Sequence, residues 1–108
     1  MEPDKLQKMQ FFQENLNAIL MQKQAFQMEL SETLSAFKEV KNSNEEVYKI
    51  IGQLMIKFPK EKIEEELKLK EQVINTRLKK LEIQEEKLSE ETKKIRDEIF
   101  KEQDKKAK

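Results

Sequence analysis

The sequence predicts a mainly α-helical fold, in which two long helices form an antiparallel coiled coil and a single β-hairpin joins them at the centre of the chain. Three observations predict it. Apolar residues recur at alternating steps of three and four along two charge-rich segments, 4–42 and 60–103. These segments are similar in length. Between them, residues 47–58 are rich in β-branched and aromatic side chains and hold the only glycine, Gly52.

Composition favours a narrow apolar seam over a thick globular core. Charged residues make up 41% of the 108-residue chain and hydrophobic residues 36%. Lys plus Arg (22) equals Asp plus Glu (22), so the basic excess typical of a nucleic-acid binder is missing. The chain has no Cys and no His, no glycine-rich phosphate loop and no metal-ligand spacing. We therefore expect no enzyme, no cofactor and no metal site.

The sequence also favours a cytoplasmic protein. No apolar run approaches the length of a membrane span, so we expect no membrane contact. The first residues, Met1 to Asp4, lack the charged-then-apolar form of a signal peptide.

The first helix is predicted over 4–42. Pro3 and Asp4 suit a helix start, and the Asn/Ser cluster that begins near Asn42 favours its end. Lys23 and Thr33 interrupt an otherwise apolar seam, where polar residues usually set register or partner choice. The seam positions are Met9, Phe12, Leu16, Ile19, Lys23, Phe26, Leu30, Thr33, Phe37 and Val40.

The second helix is predicted over 60–103, directly after Pro59. One of its seam rows is strictly apolar: Leu67, Ile74, Leu81, Leu88 and Ile95. The other row is mixed: Glu71, Leu78, Glu85, Thr92 and Ile99. Because only one row is strictly apolar, the seam is narrow and suits packing against a single partner helix.

Residues 47–58 predict a hairpin whose strands, 47–51 and 54–58, are joined by a type II′ turn at Gly52-Gln53. A short helix is the alternative, but Gly52 and the β-branched cluster oppose it. A lone hairpin is marginal in water and leaves edges and apolar faces uncovered. We expect several hairpins to close into an oligomeric β-barrel platform. The predicted oligomerisation residues are Val47, Tyr48, Ile50, Ile51, Gly52, Leu54, Met55, Ile56 and Phe58.

The hairpin segment, VYKIIGQLMIK at 47–57, and the following KEK at 60–62 resemble the β-class subunit of archaeal prefoldin. The QKQ at 22–24 is also similar to that family. The resemblance covers about residues 6–102, so we interpret 1–108 as one prefoldin-like domain. A single hairpin marks the β class, because the α class carries two.

The resemblance implies a hexamer of two α and four β subunits, in which hairpins form a double β-barrel platform that carries six coiled coils. It implies an ATP-independent holdase that captures non-native proteins at the coil tips and delivers them to a group II chaperonin. The alternative is a structural coiled-coil scaffold or tether that binds no client.

Large apolar residues are in excess near the N-terminus, beyond what a two-stranded seam needs. The resemblance implies that such residues at the coil tips bind clients. The seam residues are expected mainly to pack against the partner helix, whereas Leu6, Phe11 and Phe100 lie off the main rows and are expected mainly to bind. The predicted client-binding residues are Leu6, Met9, Phe11, Phe12, Leu16, Ile95, Ile99 and Phe100. The basic tail, Lys105, Lys106 and Lys108, is usually only solvated, although the resemblance allows it to contact a chaperonin.

Overall fold

A computed structural model describes residues 3–107. The elements are, in order, α1 (Pro3–Asn42), β1 (Val47–Ile51), β2 (Leu54–Phe58) and α2 (Lys60–Ala107). Contacts divide the chain into two compact units. Unit 1 comprises Met1–Gln24 and Lys79–Lys108, and unit 2 comprises Ala25–Leu78.

The observed elements differ from the predicted ones only at helix ends. Both strands have the predicted bounds, and α1 begins one residue early, at Pro3. The second helix continues to Ala107 rather than ending at Gln103. The added residues include Lys and Ala, which favour helices, and no Gly or Pro stops them. Lys108 and the side chains of Lys105 and Lys106 lie outside what the structure describes.

In unit 2, the junctions between helices and hairpin are capped by specific hydrogen bonds. The last carbonyls of α1 need partners, and the Lys60 ammonium donates to the carbonyls of Lys41 (2.9 Å) and Ser43 (3.0 Å). The Pro59 carbonyl accepts from the backbone N–H groups of Lys62 (3.1 Å) and Ile63 (3.3 Å), which starts α2. These bonds fix where each helix gives way to the hairpin.

Unit 2 holds its helical segments antiparallel. Glu29 of α1 lies 3.7 Å from Lys70 of α2. Further along α1, the Phe37 ring lies under the Lys68 ammonium, 5.7 Å from the ring centroid. Ile63 and Ile74 are buried between the segments, and Ile63 was not among the predicted seam residues.

Unit 1 repeats the antiparallel arrangement. Lys5 pairs with Glu98 (3.7 Å) and Glu102, near one end of each segment. Lys23 lies 3.5 Å from Glu85. The buried residues Ile19, Leu81 and Ile99 form the core between the segments.

The predicted seam is confirmed, because every predicted seam position in α1 and α2 is buried or half-buried. Its polar members have partners. The hydroxyls of Thr33 and Thr92, each only 3% exposed, donate to the carbonyls of Glu29 (2.8 Å) and Leu88 (2.7 Å), one helical turn back. Within unit 1, the charged residue in the seam of α1, Lys23, lies opposite a charged residue in the seam of α2, Glu85.

The hairpin has the predicted register and turn. Ile51 pairs with Leu54 across the turn, and the ladder continues to Val47 opposite Phe58. Gly52 has a φ of 61°, and no non-glycine residue in the described chain has a positive φ, so the φ of Gln53 is negative. A type I′ turn needs positive φ at both central residues, so the turn is type II′.

We expect Gly52→Ala to lower the free energy of unfolding by about 1–2 kcal/mol, the cost of a left-handed backbone at an L-residue. A Cβ at Gly52 would meet no atom within 4 Å, so backbone strain is the whole effect. Denaturant unfolding followed by circular dichroism measures it. The matched control is Gln53→Ala, at the other central position of the turn. Equal stabilities of the two variants would contradict the turn assignment.

We expect the Lys23–Glu85 pair to set the register of unit 1. Lys23→Glu or Glu85→Lys alone places like charges in the seam and lowers stability by about 1 kcal/mol, because both side chains are only partly exposed. The double reversal restores opposite charges and should recover most of the loss. A double-mutant cycle on denaturant unfolding gives the coupling energy. A coupling energy of zero would show that the two residues do not interact in solution.

Candidate functional site

The hairpin is a sheet of only two strands within the described residues, so each strand has one edge without a backbone partner. Cross-strand partners in an antiparallel ladder share a face of the sheet. One face therefore carries Tyr48, Ile50, Met55 and Lys57. On this face Ile50 is 72% exposed and Met55 is 70% exposed. This hairpin face presents bare apolar surface.

A polar cluster borders that face. The Lys57 ammonium lies 2.6 Å from one carboxylate oxygen of Glu46, and the Tyr48 hydroxyl donates to the other at 2.8 Å. The bond from Lys57, with that from Tyr48, lowers the pKa of Glu46. The bond to the Glu46 carboxylate raises the pKa of Tyr48. Glu46 therefore stays ionised and Tyr48 stays neutral at ordinary pH, which leaves Ile50 and Met55 as the apolar centre of this face.

The opposite face is covered at one end only. Val47 and its cross-strand partner Phe58 are half-buried there, and Lys49, the next residue of β1 on this face, lies 2.6 Å from Glu66 of α2. The Lys49 ammonium partly covers Phe58 and lies 5.6 Å from the centroid of its ring. Nearer the turn, Ile51 and Leu54 are exposed. The predicted oligomerisation residues are thus uncovered except at the open end of the hairpin.

Unit 1 contains all eight residues of the predicted client-binding set, and their exposure divides them as their helical positions predict. The seam residues are half-buried or, in the case of Ile99, buried. The three residues off the seam are exposed: Leu6 by 49%, Phe11 by 58% and Phe100 by 59%.

A groove runs between the helical segments of unit 1, and we call it the unit 1 groove. Its larger section is an open cavity of about 660 Å³ with Phe11, Phe12 and Ile95 as its apolar lining. The two phenylalanine rings lie 6.2 Å apart between centroids and are tilted by 54°. Charged side chains form the rest of this section: Asp4, Lys5, Lys8, Glu91, Lys94 and Glu98.

The groove continues past Glu91 into a second section of about 370 Å³, where Ile19 and Leu88 supply the apolar surface. The remaining lining is small, amide or charged: Asn15, Ala18, Gln22, Gln84, Lys87 and Glu91. The unit 1 groove therefore has an apolar floor and polar walls over both sections.

The structure does not bring the eight predicted residues into one patch. Leu6 and Phe100 are outside the lining of the unit 1 groove. Leu6 lies five residues from Phe11, which places the two about 140° apart around α1 at 3.6 residues per turn. Phe11 therefore belongs to the groove, and Leu6 belongs to the opposite flank of the seam.

Three further large apolar residues among the described residues of unit 1 are exposed and were absent from the predicted set. Leu20 (46% exposed) and Met21 (64% exposed) were visible in the sequence as apolar residues beside the seam. Ile83 (62% exposed) gave only a weak signal, since it is a single β-branched residue in a charged outer row of α2.

The described residues hold neither a metal-ion cluster nor a membrane-spanning helix. These residues contain no cluster of three or more acidic side chains that could hold a metal ion. Neither helix, over its described length, has an apolar stretch long enough to cross a bilayer.

Comparison with known proteins gives a consistent result. A family model described as prefoldin subunit matches residues 3–106. Prefoldin subunit beta of Thermococcus onnurineus is 39% identical over 90 residues, which are 82% of this chain and 78% of that protein. Prefoldin subunit beta of Thermococcus kodakarensis is 37% identical over 92 residues, which are 83% of this chain and 79% of that protein.

A solved structure agrees with these sequence relatives. The crystal structure of the prefoldin beta subunit from Thermococcus strain KS-1 superposes with a TM-score of 0.84 at 35% identity, over 91% of this chain and 90% of that chain. Because its paired helices and its hairpin match that structure and its sequence matches these relatives, the chain belongs to the prefoldin subunit family.

Proposed function

We propose that the chain is the β-class subunit of a prefoldin hexamer that captures non-native proteins without ATP and delivers them to a group II chaperonin in the cytoplasm. Membership of the prefoldin subunit family supports a chaperone-type role rather than catalysis. The hexamer contains two α and four β subunits, and the α class is the direct partner of this chain.

Three exposed apolar residues off the seam of unit 1 carry the capture proposal. Leu6, Phe11 and Phe100 are each about half exposed or more. Non-native proteins expose apolar surface, and its burial yields about 25 cal/mol per Å². The contact of one such side chain with a client is weak, so release of the client needs no nucleotide. Several such subunits on one platform would raise the total affinity by avidity.

The hairpin carries the assembly proposal. Ile50 and Met55 are more exposed than any residue of the helix seam, and both strand edges lack partners in the described chain. Hairpins of several subunits that close into a β-barrel would bury this apolar face and pair these edges at once. The hairpin therefore holds the hexamer together, while unit 1 captures the client.

A structural scaffold or tether is the second candidate. It is favoured by the packing of the five seam residues of the predicted set, since a scaffold needs the seam and nothing more. It leaves the exposed Phe11 and Phe100 without a role. An aggregation assay separates the two functions.

We expect the triple variant Leu6→Ser, Phe11→Ser, Phe100→Ser to lose most of its suppression of client aggregation, because each change removes exposed apolar surface from unit 1. Light scattering of a chemically denatured client, diluted into the assembled protein, measures the loss. The hexamer should persist in native mass spectrometry, since the hairpin is unchanged.

The control for this experiment is the triple variant Met28→Ser, Leu69→Ser, Val73→Ser, which removes three exposed apolar residues from unit 2. It should suppress aggregation about as well as the unaltered chain. Full activity of the unit 1 variant would refute capture by these residues. No suppression by the unaltered chain would favour the scaffold.

We expect Ile50→Ser with Met55→Ser to weaken assembly, since burial of both side chains contributes on the order of 3–6 kcal/mol per subunit. Native mass spectrometry and sedimentation velocity, with and without a candidate α subunit, measure the shift to smaller species. Circular dichroism should show unchanged helix content. The control Thr76→Ala changes an exposed residue of α2. An assembly of unchanged size at low concentration would exclude the hairpin as the joining element.

A further inference from the structure

We propose that the unit 1 groove takes an amphipathic α-helix of the non-native protein, with acidic residues bordering its apolar stripe, rather than an extended segment. This inference rests on the proposed function and names the class of segment that the groove binds. It is carried by the lining of the groove, its length and its charges.

The walls of the groove exclude an extended segment as the preferred occupant. Both walls are α-helices, α1 and α2, whose backbone N–H and C=O groups are bonded within each helix. They offer no strand edge. An extended segment pressed against the floor would therefore bury backbone groups without partners, which is costly. A helix satisfies its own backbone and needs only to present an apolar stripe.

The floor fits such a stripe. Phe12 and Ile95 line the larger section, and Ile19 and Leu88 line the smaller one, so apolar side chains from both helices alternate along the groove. The lining extends from Asp4 to Gln22 on α1, which is about 27 Å at 1.5 Å per residue. An occupant helix of about 18 residues spans this length. It would pack as the third member of a three-helix arrangement.

The charges of the lining select the polar border of that helix. Lys5 already pairs with Glu98 across the seam. The other lysines of the lining, Lys8, Lys87 and Lys94, form no ion pair with the described residues. Only two acidic side chains remain against these three. Lys8 lies on the α1 wall and the other two lie on the α2 wall, so acidic residues on both borders of the occupant would meet an ammonium group.

The test compares two fluorescently labelled 18-residue peptides of identical composition, rich in Leu and Glu. One has its apolar residues at helical spacing and the other has them in strict alternation. Fluorescence anisotropy against the full-length assembled protein should show at least tenfold tighter binding of the helical pattern. A hydrocarbon staple that fixes the helix should tighten binding further, because less ordering is needed on binding. Replacement of its Glu residues by Lys should weaken binding at least threefold at low salt.

Two variants locate the peptide on the protein. Phe11→Ser, within the groove, should weaken binding of the helical-pattern peptide at least fivefold. Met21→Ser alters an equally exposed apolar residue of the same helix that is outside the groove lining, and it should change binding less than twofold. Equal weakening by both variants would place the peptide elsewhere and overturn the proposal.

The remaining outcomes distinguish the helix proposal from the holdase function on which it rests. Equal binding of the two patterns, tighter binding of the alternating pattern, or no binding of either would overturn the helix proposal. If the protein still suppresses aggregation in those cases, the holdase function stands. Failure of the unaltered protein to suppress aggregation would overturn both the helix proposal and the holdase function.

Discussion

The apolar seam between α1 and α2 is the constraint on which the rest of the structure depends. A chain with 41% charged residues cannot fill a broad core, so its stability comes from one narrow seam between the two helices. The seam tolerates Thr33 and Thr92 because each hydroxyl bonds within its own helix. It tolerates Lys23 because Glu85 lies opposite. These polar positions weaken the seam, but the Lys23–Glu85 pair forms only in a register that places the two residues opposite each other.

A seam this narrow leaves apolar residues that it cannot cover. In the hairpin, Ile50 and Met55 lie on an open face, and in unit 1 Phe11 lines the groove. Isolated exposed apolar residues are ordinary, but groups of them indicate interaction surfaces. The two groups differ in backbone. The hairpin offers strand edges and suits other strands, whereas the groove offers only helix walls and suits side chains.

Electrostatics shapes these surfaces more than it stabilises them. Ion pairs such as Lys49–Glu66 and Lys70–Glu29 are partly exposed, and such pairs contribute about 0–1 kcal/mol each. The positions of these polar contacts matter more for the shape of the surfaces than the contacts contribute to stability. Lys57 and Tyr48 hold Glu46 at the border of the hairpin face. Lys60 closes the end of α1 with two hydrogen bonds and so fixes the start of the hairpin.

The sequence by itself determined both seam rows, the strand bounds and the turn at Gly52, because helical periodicity and turn conformation are local properties of the chain. It also separated Phe11 and Phe100 from the seam residues. Only the tertiary structure decided that Phe11 shares a groove with Ile95, and that Lys23 meets Glu85. Such pairings depend on the rotation and register of one helix against the other, which packing of whole side chains sets.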